Sequence, residues 1–216
     1  MNFYVDEIYF YFIYFLLTFA INLDHGKSYE DIMLGINSGF TSIMVDRSSL
    51  SYEDNIAQCR PLNISVEAEL GHVGQGEDYS SDGSDHFTKP EEAKKFVEET
   101  GIDCLAVAIG TAHGRYHGTP HIDFDLLKQI TNVVDIPLVL HGGSGTGDEN
   151  LRKAVKNGIQ KVNLATELVV AGKEELETFI QDKNFDKWQL IPSFIKGYSD
   201  RLEHYVKLFD QENRAW

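Results

Sequence analysis

Residues 137–145 read Pro-Leu-Val-Leu-His-Gly-Gly-Ser-Gly, and their order decides the fold. A short apolar run, Ile136 to Leu140, ends in a histidine and a glycine cluster, and a helix is expected to begin near Asp148. The same grammar recurs along the chain. Ser28 with Asp31, Ser51 with Asp54 and Thr88 with Glu91 give capping-box start signals. After Ser28, Tyr29, Ile32, Met33 and Ile36 follow helical spacing and Gly39 supplies a stop, before the β-rich run Phe40 to Val45 ending at Asp46. A second unit runs through Phe96, Val97 and Gly101 to Leu105–Ile109, and a third through Leu151, Ala154, Val155 and Gly158 to Lys161–Leu164. Another apolar run covers Ile64 to Leu70. Helices alternating with short buried runs mean βα units on a parallel sheet.

Polar, glycine-flanked residues follow these runs: Asp24-His25-Gly26 after Leu23, Gly110 to Gly114 after Ile109, His141 to Gly145 after Leu140, and Asn163 to Thr166 after Val162. Their amino ends carry nothing comparable. A barrel enzyme gathers its chemistry at the carboxyl ends of its strands. The chain has 216 residues, short for a (β/α)8 barrel of ~250 residues. With 34 acidic against 19 basic side chains, net charge −15, a nucleic-acid partner is not expected, because binding phosphates needs a basic face. No GxGxxG or P-loop lysine motif occurs. Cys59 and Cys104 are too few for a disulfide framework and too far apart for a CxxC site, which fits a reducing, cytoplasmic setting.

Residues 1–20 form an atypical aromatic leader and residues 21–216 one domain. The uncharged stretch Ile8 to Leu23 lacks the positive flank of a signal peptide, having Asp6 and Glu7 instead, and is shorter than the ~20 apolar residues of a spanning helix. No membrane role is expected.

His25, His113 and His141 occupy the same grammatical position, each ending a strand and preceding a glycine. Three imidazoles with one open position describe a catalytic zinc site, whereas any one of them alone reads as a hydrogen-bonded loop residue. Asp24 can serve as a general acid or base. Asp46 ends the next strand, and alternation puts Glu67 and Glu69 on one face, the lumen of a barrel, as second-shell groups or ordinary ion pairs. The glycine run before the Asp148 helix suits an anion, or simply a tight turn. Gly71 to Phe87 is a long polar loop holding Glu77, either a lid or a solvated acidic segment. Lys161 is expected to be structural, away from the catalytic end.

Together LDHGKSYEDI, GFTSIMVDRSSL, VEAELGHVG, AVAIGTAHG, PLVLHGGSG and KVNLATEL resemble, in order, the blocks of the class II, metal-dependent ketose-bisphosphate aldolases. The resemblance covers roughly residues 20–212, and the Asn-Leu-Ala-Thr-Glu wording looks more like the tagatose-bisphosphate branch than the fructose-bisphosphate one. It implies an α/β fold, the (β/α)8 TIM barrel, assembled as a homodimer or homotetramer. It further implies reversible cleavage of a ketose 1,6-bisphosphate to dihydroxyacetone phosphate and glyceraldehyde 3-phosphate, with zinc stabilising the enediolate. By position, His25, His113 and His141 would hold Zn2+, Asp24 would donate the proton, and Asp46 and Glu69 would take an alternative or second metal. Gly114, Gly142, Gly143, Ser144, Asn163, Leu164, Ala165 and Thr166 would hold the phosphorylated substrate, with Na+ or K+ near the phosphate. Two departures stand out. Only six strands are expected, the family's first two βα units being missing, and the helix after residue 51 is shortened. A truncated, inactive remnant and a different zinc barrel enzyme such as a hydrolase are therefore the alternatives.

Overall fold

The structure is a computed structural model that describes residues 20–58, 64–74, 86–114, 116 and 120–214. The leader through residue 19, Cys59 and Glu77 lie outside them. Among the described residues six parallel strands appear in chain order: β1 (Asn22–Gly26), β2 (Ser42–Val45), β3 (Ser65–Leu70), β4 (Cys104–Val107), β5 (Leu138–Leu140) and β6 (Ile159–Val162). Each pairs with the next, so the sheet order is the sequence order. A helix returns the chain between neighbours: α1 (Tyr29–Asn37), α2 (Tyr52–Gln58), α3 (Pro90–Thr100), α4 (Phe124–Thr131) and α5 (Asp148–Lys156). Helices α6 (Thr166–Phe179) and α7 (Leu190–Leu208) follow β6. The result is a six-stranded half-barrel of the α/β class.

Local signals explain most boundaries. Ser28 Oγ accepts from Asp31 N at 3.0 Å to open α1, and Ser51 Oγ accepts from Asp54 N at 3.2 Å to open α2. The expected Thr88 cap is a correction. Lys89 stands at the N-cap of α3 without a side-chain bond, while buried Thr88 donates to Leu70 O and accepts from Ala108 N. Its hydroxyl thus ties β3 to the end of β4, where an exposed cap would have wasted a buried polar group. In α1 the apolar stripe begins at Ile32, because Tyr29 stays exposed.

Strand alternation divides the sheet into two faces. Val66, Ala68 and Leu70 join Leu105, Val107, Leu138, Leu140 and Ile159 in the core under the helices, with Phe96, Leu127, Ile130 and Leu151. Met44, Glu67, Glu69, Ala106 and Val139 are equally buried but belong to the inner face. The register sets Glu67 level with Cys104, and Glu69 level with Ala106. Among the described residues no helix is long and apolar enough to cross a membrane.

Candidate metal centre

Adjacent strand residues normally point to opposite faces, so Asp24 and His25 should not share a site. The pairing of β1 with β2 shows how they do. Leu23 pairs with Ile43 and Gly26 with Val45, so three steps on β1 match two on β2, and His25 has φ 53°. This bulge, with a non-glycine residue in the left-handed region, re-aims both side chains to the same end. Asp24 Oδ1 lies 3.9 Å from His25 Nε2.

The three strand-end histidines converge. His25 Nε2 lies 3.2 Å from His113 Nε2 and 3.0 Å from His141 Nδ1, and the latter two are 3.4 Å apart. Each ring is held by its other nitrogen. His25 Nδ1 donates to Asp46 Oδ2 at 2.8 Å, His113 Nδ1 to the Val73 carbonyl at 3.2 Å, and buried His141 Nε2 to Glu67 Oε1 at 2.8 Å. A carbonyl or ionised carboxylate can only accept, so the outward nitrogens carry the protons and three lone pairs point inward. Lone pairs cannot bond one another; they need an electrophile between them. Tetrahedral zinc with ~2.0–2.1 Å nitrogen bonds spaces its ligands by ~3.3 Å, which matches this triangle. The donor set therefore fits a zinc ion with one position left open.

The electrostatics differ from ring to ring: the raised pKa at His25 favours a protonated ring whose proton a cation must displace, and the lowered one at His113 favours the ligating form. Hydrogen bonds from His25 and Ser48 hold the Asp46 carboxyl well below the usual carboxylate range, against burial. Asp46 in turn raises the pKa of His25, opposed by burial. Burial, then the charges of the neighbouring rings, lowers that of His113 and favours the neutral, ligating form. Glu67 is only 2% exposed; burial pushes its pKa up, but His141 and Lys161 together bring it below the ordinary value. Burial raises that of Glu69, whose Val73 contact only partly opposes it.

Asp46, Glu69 and His25 also place donor atoms within 4.8 Å of one another. Glu69 Oε1 accepts from Val73 N at 3.0 Å, while Oε2 is buried without a hydrogen-bond partner among the described residues.

Beside the trio lies a cavity of ≈350 Å³ lined by Asp24 and His113 with Gly114, Gly142, Gly143, Ser144, Asn163, Leu164, Ala165 and Thr166. All eight residues expected to hold substrate thus meet in one place. Gly142 has φ 67°, and a Cβ there would lie 2.2 Å from the Ala112 carbonyl, so only glycine lets these loops touch. The loop after β5 differs in detail from a plain glycine loop. The Gly143 N–H is taken by the Asn163 carbonyl at 3.1 Å. Ser144 Oγ accepts from Ala165 N and Glu167 N, capping α6. The positive end of α6 is thereby aimed at the cavity.

A family model described as "Fructose-bisphosphate aldolase class-II" matches residues 16–214. The chain belongs to that family. It is also similar to the YdjI aldolase of Escherichia coli K12, at 34% identity and a TM-score of 0.80, over 93% of this chain and 72% of that one. A Coccidioides immitis protein assigned as a fructose-1,6-bisphosphate aldolase is 30% identical with a TM-score of 0.77, over 92% and 74%. The Campylobacter jejuni fructose-bisphosphate aldolase, 21% identical over 88% of this chain and 70% of that one, shares the fold at a TM-score of 0.68.

Within this class II aldolase chain one expectation needs correction and two residues were missed. Lys161 is no bystander. Its Nζ donates to Glu67 Oε2 and to Asn163 Oδ1, both at 2.8 Å, and it lines the cavity. A lysine two residues before Asn163 on the same strand shares its face, and that spacing was the overlooked signal. Asn163 Nδ2 donates to Asp24 Oδ1 at 3.1 Å, bridging the ends of β6 and β1. Asn22, at the start of β1, also lines the cavity. Tyr116 went unnoticed as well; its hydroxyl accepts from Ala112 N and lies 2.9 Å from the Gly142 carbonyl, pinning two site loops together. No motif announces it, since the contact depends on loop conformation.

Proposed function

We propose that this chain reversibly cleaves a ketose 1,6-bisphosphate to dihydroxyacetone phosphate and glyceraldehyde 3-phosphate. Membership of the class II aldolase family supports aldol cleavage of a ketose bisphosphate in general. The observation that carries the specific reading is the triangle of inward imidazole lone pairs beside a cavity that also holds Asp24. Tagatose bisphosphate is favoured over fructose bisphosphate on the wording Asn163 to Glu167.

In this reading His25, His113 and His141 hold Zn2+, and Asp46 with Glu69 offers an alternative cation position. Zinc held there supplies Lewis-acid charge where negative charge develops on the substrate carbonyl. The rest is done by the chain itself. The backbone around Gly114, Gly142–Ser144 and Asn163–Thr166, with the α6 terminus, binds the phosphate, joined by Na+ or K+. Asp24 takes the proton of the C4 hydroxyl in cleavage and returns it to the aldehyde oxygen in synthesis. Asn163 holds the Asp24 carboxylate toward the cavity, and Lys161 fixes the Asn163 amide. The six described strands correspond to six of the eight units of a TIM barrel, in a protein working as a homodimer or homotetramer in the cytoplasm.

The test is cleavage of tagatose and fructose 1,6-bisphosphate by purified chain with zinc, reading triose phosphate release. Chelator should abolish it. Asp24→Asn should slow it by about 10²–10⁴-fold while zinc stays bound. Zinc-loaded, folded protein with no cleavage would instead support an inactive remnant, and release of phosphate or amine a hydrolase.

A further inference from the structure

Helix α6 begins beside the glycine-lined cavity, and its second residue, Glu167, is acidic. The cavity wall runs from Asn163 through Thr166 and stops short of Glu167. A carboxylate in the first turn of a helix is drawn to the free N–H groups there, the same groups that an incoming phosphate would use. The Glu167 carboxylate goes elsewhere. Its Oε2 accepts from the hydroxyl of Tyr205 on α7, 38 residues along the chain. The phenol is fixed in place: Tyr205 is 2% exposed, stacks on Phe209 with ring centroids 6.0 Å apart and meets His204 edge-on at 5.4 Å. On the opposite side, Ser144 Oγ in the cavity wall accepts from Glu167 N at 3.2 Å. Glu167 is thus held between two anchors, its N–H toward the cavity and its carboxylate toward α7.

We propose that Tyr205 is a positioning residue for anion binding: its phenol holds the Glu167 carboxylate off the positive end of α6 and leaves that end to a phosphate group. The inference rests on the reading of the glycine-lined cavity as the phosphate pocket. In a chain of net charge −15, a loose carboxylate at that spot would oppose the ligand in two ways. It would occupy the N–H groups of the first turn itself, and its charge would repel the phosphate. A neutral side chain at position 167 would need no such tether. The tyrosine hydroxyl therefore matters to anion binding only while the acid is present, and that dependence separates positioning from packing.

Calorimetric titration of the zinc-loaded protein with inorganic phosphate reads the pocket directly, and steady-state cleavage of the ketose bisphosphates reads it in turnover. Tyr205→Phe keeps the ring and its packing but loses the donor. Its phosphate Kd should rise about tenfold, the scale of one unit charge at a partly buried helix terminus. KM should rise by more than kcat falls, as expected when binding common to ground and transition states is lost. In Tyr205→Phe/Glu167→Gln the loose charge is gone, so phosphate affinity should recover. Glu167→Asp keeps the charge but is one methylene too short for the phenol; it should lose affinity like Tyr205→Phe, and it decides the question if Tyr205→Phe does not fold. An unchanged phosphate Kd in either folded variant overturns the proposal. A loss in Tyr205→Phe that Glu167→Gln does not recover overturns it too, because it makes Tyr205 a packing residue only. Phosphate binding without bisphosphate cleavage sinks the aldolase reading alone, and the Kd comparison still decides the tether. No phosphate binding by the unsubstituted protein removes the pocket and overturns the proposal with it.

Discussion

Replacing Glu67 with glutamine tests the link between the inner face of the sheet and the metal centre. The carboxylate is 2% exposed, and its two oxygens accept from His141 Nε2 and Lys161 Nζ, each at 2.8 Å. An amide offers one oxygen and one donor. If the oxygen keeps His141, the NH2 group faces the Lys161 ammonium, donor against donor. A charge-assisted bond lost in a buried setting costs about 1.5–3 kcal/mol. Lys161 is 37% exposed on its side chain, so water can take over part of its hydration, and a loss of about 1–2 kcal/mol of folding stability follows. The effect on metal adds to this. His141 would donate to a neutral amide instead of a carboxylate, and changes of that kind weaken metal affinity about 10- to 100-fold. The assays are urea unfolding of the metal-free protein and zinc competition against a chromophoric chelator. The double variant Glu67→Gln/Lys161→Met removes the donor clash, so its stability should recover relative to Glu67→Gln, while zinc affinity stays low. A zinc Kd within twofold of the unsubstituted protein, together with an unchanged unfolding midpoint, would refute the reasoning.

Three further outcomes follow. Gly142→Ala should cost more than about 3 kcal/mol or prevent folding, because φ is 67° and the new Cβ would sit 2.2 Å from the Ala112 carbonyl; thermal unfolding measures it. Ser144→Ala removes the acceptor for Ala165 N and Glu167 N, so stability should drop by about 1 kcal/mol and KM for the bisphosphate should rise in steady-state assays. Burial, reinforced by the Glu67 charge, pushes the Cys104 thiol up to about 12, against ~8.5 in an unfolded chain. The fold therefore favours the neutral thiol, and this contribution is complete below ~pH 8.5 and fades as pH climbs toward 12. Native protein at pH 8 should leave Cys104 unalkylated by iodoacetamide, and denatured protein should not. The stability gap between the unsubstituted chain and Cys104→Ala should narrow from pH 8 to 10.5.

Much of this was legible before any coordinates. Short apolar runs separated by capped helices specify parallel βα units because strand and helix periodicity differ, and the described strands follow those runs except that β6 begins two residues before the expected Lys161–Leu164. The histidines were visible because each follows an apolar run and precedes a glycine, although His113 lies six residues beyond the end of β4. What stayed hidden depends on conformation. The bulge that lets Asp24 and His25 face the same way has no sequence mark beyond Gly26. Thr88 spells a helix cap, but burial between β3 and β4 gave its hydroxyl stronger obligations. Lys161 seemed remote because position along a strand was weighed without the reach of a long side chain, which brings its ammonium to Glu67 and Asn163. The neutral-ring tautomers follow from acceptors on three other segments, Asp46, Val73 and Glu67, and no local pattern encodes that convergence.

The central claim is that three lone pairs, one each from His25, His113 and His141, face a single zinc ion. X-ray absorption at the zinc edge on protein loaded with one equivalent of metal tests it most directly. The account predicts three imidazole nitrogens at about 2.0–2.1 Å plus one exchangeable oxygen, with one imidazole lost in His113→Ala. A shell containing sulfur, fewer than three imidazoles, or a spectrum that His113→Ala leaves unchanged would contradict it.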